Sequence, residues 1–180
     1  MTHVWIDVLL LANLAEQPCH GYELRRRVEH STGYALSNNS LYPALRRFTE
    51  AGAVTRTQEP QEGRPPRHVY ELTDVGRELL HDMLADLPEE LARDEPEFMS
   101  RLAFFDWLTP DERLRVLDAR RSALKNRRER IAAFCAQAEP GGWSHEALRE
   151  TSRRIHAELD WLDRVRTGAP DGPPRKEEIG

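Results

Sequence analysis

The sequence predicts a mainly helical protein in two parts: three helices, a β-hairpin and a fourth helix, followed by a purely helical region. Three observations predict it. Apolar residues recur at spacings of three and four over most of the 180 residues. Alternation of period two is confined to two short runs, Ala53–Glu59 and Arg67–Leu72, separated by the Gly- and Pro-rich PQEGRPP. Beyond residue 96 the apolar pattern is helical throughout, with a strong start signal at Thr109-Pro110-Asp111-Glu112.

Residues 4–15 (VWIDVLLLANLA) are apolar on nearly every side, so the first helix is expected to be buried on more than one face. Pro18 ends it. Residues 21–30 form a short second helix with Tyr22, Leu24 and Val28 facing inward, and Gly33 breaks it. Ser37 is an N-cap for the third helix. Its buried stripe is Leu41, Leu45 and Phe48; Asn39, Tyr42 and Arg46 recur at i, i+3, i+7 on another face, and Gly52 is the stop. The two extended runs pair as the hairpin. Thr73 caps a fourth helix carrying Leu79, Leu80, Met83, Leu84 and Leu87.

The pattern weakens around Arg93–Pro96, which places a domain boundary there and divides the chain into residues 1–92 and 93–167. Phe98, Leu102 and Phe105 mark a short helix. The helix capped by Thr109 runs to about Ala138 with the seam Leu114, Leu117, Arg121, Leu124, Arg128, Ile131, Cys135. Pro140-Gly141-Gly142 makes a turn, and Ser144 caps a last helix with the seam Leu148, Ser152, Ile155, Leu159, Leu162. Two such helices joined by a short loop predict an antiparallel αα-hairpin. From Gly168 the composition (GAPDGPPRKEEIG) is that of a disordered tail, residues 168–180.

Composition narrows the function classes. No apolar run approaches the roughly 20 residues that span a bilayer, and the N-terminus lacks a signal-peptide pattern, so no membrane and a cytoplasmic location are expected. Cys19 and Cys135 are far apart in sequence, and buried thiols are favoured over a redox pair. There is no Gly-rich phosphate loop, metal-ligand cluster or Ser/His/Asp set, so no catalytic residue, metal or cofactor is expected. The net charge of −5 opposes indiscriminate nucleic-acid binding. Between His20 and His68, however, eight arginines stand against five acids, and this local basic excess permits a DNA partner.

The order helix, helix, helix, hairpin, helix is that of a winged helix-turn-helix domain. A helix about 10–12 Å across fits the major groove, and a hairpin wing reaches the neighbouring backbone. The third helix offers an apolar anchor face and an opposite face bearing Asn38, Asn39, Ser40, Tyr42 and Arg46. Asn can pair with adenine and Arg with guanine. Arg64, Arg67 and His68 sit on the wing, where they suit phosphate or minor-groove contact. A solvated polar face, and helix capping by Asn38 and Asn39, are the plainer alternatives.

The segments HGYELRRRVE, SLYPALRRFTEAGAVTR and GRPPRHVYELTDVGRELL resemble the PadR family of transcriptional regulators over about residues 6–85. The resemblance rests on His20-Gly21-Tyr22, on Ser40-Leu41-Tyr42-Pro43-Ala44-Leu45, on Gly63-Arg64-Pro65 and on Leu72-Thr73. Tyr22 is also counted among the expected DNA-contacting residues. The C-terminal half resembles, more loosely, the virulence-activator-α type of helical domain. The resemblance implies a homodimer on a palindromic double-stranded operator, acting as a repressor relieved by a small molecule or another signal. Pro66, and Asn38-Asn39 before Ser40, depart from the family pattern, so no operator sequence carries over.

The homodimer is expected to form mainly through the C-terminal helices, assisted by an apolar first helix. A small-molecule effector is expected between the two domains near Phe105, Trp107 and Trp161, although core or dimer packing accounts for the same aromatics. The basic run Arg113–Arg130 is read as a solvated face or as one side of interhelical ion pairs with Glu146, Glu150, Glu158, Asp160 and Asp163, rather than as a second nucleic-acid patch. The competing function is a winged helix used only for protein–protein contact.

Overall fold

A computed structural model of the chain describes residues 4–60, 67–136 and 141–169. The chain forms two compact units, Met1–Leu84 with Ser100–Phe104, and Ala85–Met99 with Phe105–Gly180.

In the first unit, α1 (Val4–Glu16), α2 (Gly21–Thr32) and α3 (Asn38–Glu50) are followed by strands β2 (Val54–Glu59) and β3 (Arg67–Leu72) and by α4 (Asp74–Ala85). The sequence reading missed β1 (Cys19–His20), a two-residue strand too short for any periodicity. It pairs antiparallel with β3, Cys19 opposite Tyr70 and His20 opposite Val69, and gives the sheet order β1-β3-β2. The hairpin register sets Val54 opposite Leu72 and Arg56 opposite Tyr70.

Val8–Leu14 of α1 are all buried, as are Leu24, Val28, Leu41, Leu45, Phe48, Leu80 and Leu84. Each such Leu, Val or Phe contributes roughly 1.5–3 kcal/mol against exposure. Asn13 is accommodated at the same depth because its amide donates to the Leu9 carbonyl at 2.8 Å. Val4, Trp5 and Ile6 at the start of α1 are half-buried.

Two glycines in left-handed conformation end the helices that need sharp exits: Gly33 (φ 70°) after α2 and Gly52 (φ 72°) after α3. At the second, Ala53 N–H donates to Phe48 O and Gly52 N–H to Thr49 O, a Schellman pair. Thr73 then joins the foot of the hairpin to α4. Its hydroxyl donates to Gly52 O at 2.7 Å and accepts from Gly76 N–H at 3.0 Å. Gly76 lies so close to β2 that a Cβ there would fall 2.1 Å from the Ala53 carbonyl oxygen.

The second unit contains α5 (Glu89–Ala92), most of α6 (Glu95–Leu102), a 3-10 turn (Phe105–Trp107), α7 (Pro110–Cys135) and α8 (Trp143–Gly168). Phe105 thus lies in its own turn and not on the short helix with Phe98 and Leu102. Thr109 and Glu112 form the expected capping box. The α7 stripe is broader than the expected seam. Leu117, Leu124 and Ile131 are buried, but so are Val116, Arg120 and Ala123, while Arg121, Arg128 and Cys135 are half-buried. The reason is that α7 packs on α5 as well as on α8.

The two long helices run antiparallel, tied by Arg120–Glu158, Arg121–Asp163 and Asp118–Arg166. Gly142, not Ser144, is the N-cap of α8, because the turn at Gly141 (φ 85°) lets the helix begin at Trp143. At its other end α8 continues through Gly168, where the sequence suggests a tail; residues 170–180 of that tail lie outside the described residues. No helix among the described residues is long and apolar enough to cross a membrane.

Candidate nucleic-acid interface

Helix α3 presents the first set of candidate side chains. Ser37 caps it, its hydroxyl accepting from Ser40 N–H at 3.2 Å. Leu41, Ala44, Leu45 and Phe48 fasten one face into the core. Arg47 fixes the helix to α1 from the side, its Nη2 donating to both carboxylate oxygens of Asp7 at 2.6 Å. With three sides held, Asn39, Tyr42 and Arg46 point outward and are exposed. Tyr42 is 46% exposed.

The remaining α3 candidates are more engaged. Ser40 is half-buried, and its hydroxyl lies 3.0 Å from that of Ser37. Asn38 is exposed, and its Oδ1 accepts from Arg25 Nη1 of α2 at 3.2 Å. Pro43 sits inside α3 and has no N–H to give the carbonyl of Asn39 four residues back. The Tyr42 ring leans on the start of α2, where a Cβ on Gly21 would approach its Cε1 to 3.1 Å. Glycine in the His20-Gly21-Tyr22 triplet is therefore a matter of room for Tyr42.

Tyr22, expected to face inward, is 64% exposed, with the Arg25 guanidinium 5.7 Å from its ring centroid. The inward positions of α2 are Gly21, Leu24 and Val28, and a 3.6-residue period puts Tyr22 between them on the outside. His20 stands at the N-cap of α2 without capping it. Its Nδ1 donates instead to the His68 carbonyl at 3.2 Å, and its Nε2 is 3.6 Å from the Glu59 carboxylate, so the histidine ties α2 to both hairpin strands.

On the hairpin, Arg67 is exposed and His68 half-buried. Arg56 Nη2 lies 2.6 Å from His68 Nε2. Burial pushes the Tyr70 hydroxyl above its ordinary value, and the Arg56 charge partly offsets that. Arg64 lies outside the described residues.

Two concavities flank Tyr42. One, about 650 Å³, lies between α2 and β3 and takes in His20, Arg26, Arg27, Arg67 and His68. The other, about 800 Å³, lies between α3 and β2 and takes in Asn38, Asn39, Arg46 and Arg56. Tyr42 and Tyr70 line both. The structure thus gathers Tyr22, Asn38, Asn39, Tyr42, Arg46, Arg67 and His68 onto one cationic, aromatic surface. The sequence counts Arg26, Arg27 and Arg56 in the local basic excess but does not assign them to this surface. The signal for Arg56 was available: on a period-two strand it shares a face with Val54 and Gln58, diagonal to His68 across the hairpin.

The aromatics proposed for an effector belong to the second unit. Phe105 and Trp107 are half-buried in the 3-10 turn, and Trp161 of α8 meets Phe98 edge-on, with centroids 6.2 Å apart and planes at 82°. Among the described residues no group of three or more His, Cys, Asp or Glu is placed to hold a metal ion.

Three helices followed by a hairpin, with an exposed polar and aromatic stripe on α3, define a winged helix-turn-helix domain. The sequence profile of the Transcriptional regulator PadR-like family matches residues 10–82, and the chain belongs to that family. Transcriptional regulator Rv3488 of Mycobacterium tuberculosis is 35% identical over 85 residues, covering 47% of this chain and 77% of its own. Probable transcriptional regulator Rv1176c of the same organism is 37% identical over 79 residues, 43% of this chain; the chain spans only 42% of that relative's length. Negative transcriptional regulator PadR of Bacillus subtilis is 24% identical over 171 residues, 87% of this chain and 92% of its own. A crystal structure of Bacillus subtilis PadR in complex with operator DNA covers 90% of this chain and 96% of that one, at 21% identity and a TM-score of 0.43.

Proposed function

We propose that the chain binds a palindromic DNA operator sequence-specifically as a homodimer, with α3 in the major groove and the β2–β3 wing on the adjacent backbone. The observation that carries this is the exposed stripe Asn39, Tyr42, Arg46 on a helix whose other sides are held by the core and by Asp7. Arg46 offers two parallel donors to a guanine edge. Tyr22, Arg67, His68 and, from the sequence, Arg64 are assigned to the backbone, and Ser40 to the start of the reading helix. In both concavities beside that stripe arginines outnumber acids, Arg26, Arg27 and Arg67 against Glu23, and Arg46 and Arg56 against Glu50, which favours a phosphate backbone over a winged helix used only for protein contact.

The proposed action is repression, in keeping with the Bacillus relative named a negative regulator. The region from residue 93 onward is proposed to hold the dimer contacts. Its helices leave Phe134 60% and Trp143 91% exposed, which supports a partner in that region. The aromatics Phe105, Trp107 and Trp161 are the proposed seat of a small-molecule effector.

The test is a salt titration of binding to the chain's own promoter DNA and to scrambled DNA. Arg46→Ala is expected to cost about 1–3 kcal/mol on the specific duplex alone. Arg67→Ala is expected to weaken both duplexes and to lower the salt slope by about one unit. If Arg46→Ala and Tyr42→Ala stay folded and bind like the parent, α3 is not the reading element.

A further inference from the structure

We propose that Arg25 sets the hydrogen-bonding sense of Asn38, so that of the two adjacent asparagines only Asn39 is free to read adenine; this rests on α3 being the reading helix. Asn38 and Asn39 are the same residue type one position apart, yet their surroundings differ. A guanidinium has donors and no acceptor. Whichever way the carboxamide is placed, the atom it turns to Arg25 must be the oxygen, here at 3.2 Å.

Arg25 is itself held. Its guanidinium lies over the Tyr22 ring at 5.7 Å, and its Nε is buried and 3.7 Å from the Glu29 carboxylate one helical turn on. The oxygen of Asn38 is thus drawn toward α2, and the amide nitrogen faces away. Adenine presents an acceptor and a donor side by side, N7 and N6–H, and asparagine recognises it with nitrogen and oxygen aimed at one base edge. With its oxygen turned to Arg25, Asn38 has one lone pair of that oxygen left for such a base. The remaining lone pair of that oxygen lies beside a positive charge, which repels a second N–H donor. What Asn38 offers the groove is a donor, and the bases that answer a donor are guanine, through O6 and N7, and thymine, through O4. Asn39 lies in line with Tyr42 and Arg46 on the exposed stripe, with both amide atoms available.

Arg25 is therefore a positioning residue that sets specificity without reading a base. The experiment is selection from duplexes with a randomised core, using the full chain and Arg25→Ala, Arg25→Lys, Asn38→Ala and Asn39→Ala. The parent is expected to show one adenine preference that Asn39→Ala removes, and one guanine or thymine preference that Asn38→Ala removes. In Arg25→Ala the second position should accept adenine, its disadvantage shrinking on the order of tenfold, the scale of one good base contact. Arg25→Lys, which still has only donors, should keep the parental preference, and a merely structural role would not give that pattern. The proposal is overturned if Asn38→Ala removes an adenine preference, or if Arg25→Ala weakens all sequences alike. A parent that enriches no motif overturns the DNA-reading function as well, so the two failures are told apart.

Discussion

At the scale of single residues, burial decides the behaviour of the two cysteines. Cys19 is 3% exposed, and burial holds its thiol above the ordinary value, with Arg27 partly offsetting the effect. Cys135 is half-buried. Since the thiolate is the nucleophile, iodoacetamide at pH 8 should label Cys135 first and leave Cys19 unmodified in the folded chain. Equal rates would mean that β1 opens readily. Glu150 shows the opposite case, a half-buried carboxyl held at about 2 by hydrogen bonds from Arg153 and Arg154. Because its folded value is depressed, whatever this cluster adds to stability is present above the ordinary value of 4.5 and is lost as pH falls toward 2. Carboxyl NMR should place the Glu150 midpoint well below that of an isolated glutamate, and replacing both arginines with glutamine should bring it back. A midpoint already in the usual range would show that the arginines do not hold the carboxyl in solution.

At the scale of elements, two contacts set the place of the reading helix and its wing. The first is the Asp7–Arg47 pair, in which Asp7 is nearly covered and Arg47 is 46% exposed. A charge-assisted bond of this kind is worth about 1–3 kcal/mol, and exposure of the arginine brings the expectation to the lower end. Asp7→Asn should lower stability by about 1 kcal/mol and weaken operator binding more than binding to random DNA, because α3 loses its lateral anchor. Unchanged discrimination would show that the core alone positions α3. The second contact is Gly76 against the Ala53 carbonyl. Gly76→Ala forces backbone apart and should cost about 1–3 kcal/mol or more in thermal unfolding, although in an ordinary helix the same change stabilises.

Most of these elements were legible in the sequence. Ser37, Thr73 and Thr109 announced their helices because capping is local chemistry, and the alternation around residues 54–59 and 67–72 gave the hairpin. The misplacements have two causes. Tyr22 falls outside because α2 buries only the stripe Gly21, Leu24 and Val28, whereas the depth of Arg120 and the strand at Cys19 depend on what comes near from elsewhere in the chain. Arg120 is the plainest instance. It is 2% exposed and yet satisfied, by Glu158, one of the acids expected to pair with this run, and by the Ala92 carbonyl, which no spacing rule can foresee.

At the scale of the whole molecule, the dimer proposal makes a prediction independent of DNA. Light scattering should give about twice the 20.8 kDa of one chain at micromolar concentration, and the melting temperature should rise with protein concentration. A concentration-independent melt at the mass of one chain would remove the dimer.

The small strand at Cys19 and His20 has a consequence for how this surface first comes into being. Its partners, Tyr70 and Val69, are about fifty residues further along the chain. On a ribosome adding ~5–20 residues per second, β1 would wait about 3–10 s, and a finished α3 about 1–4 s, before the strand that pairs with β1 was even synthesised. The bidentate Asp7–Arg47 pair can form earlier, since both of its members precede residue 50. A nascent chain would thus pass through a stage with its reading helix docked and its wing absent. Synthesis stalled in that interval is expected to yield a polypeptide able to pack helices but unable to grip a phosphate backbone.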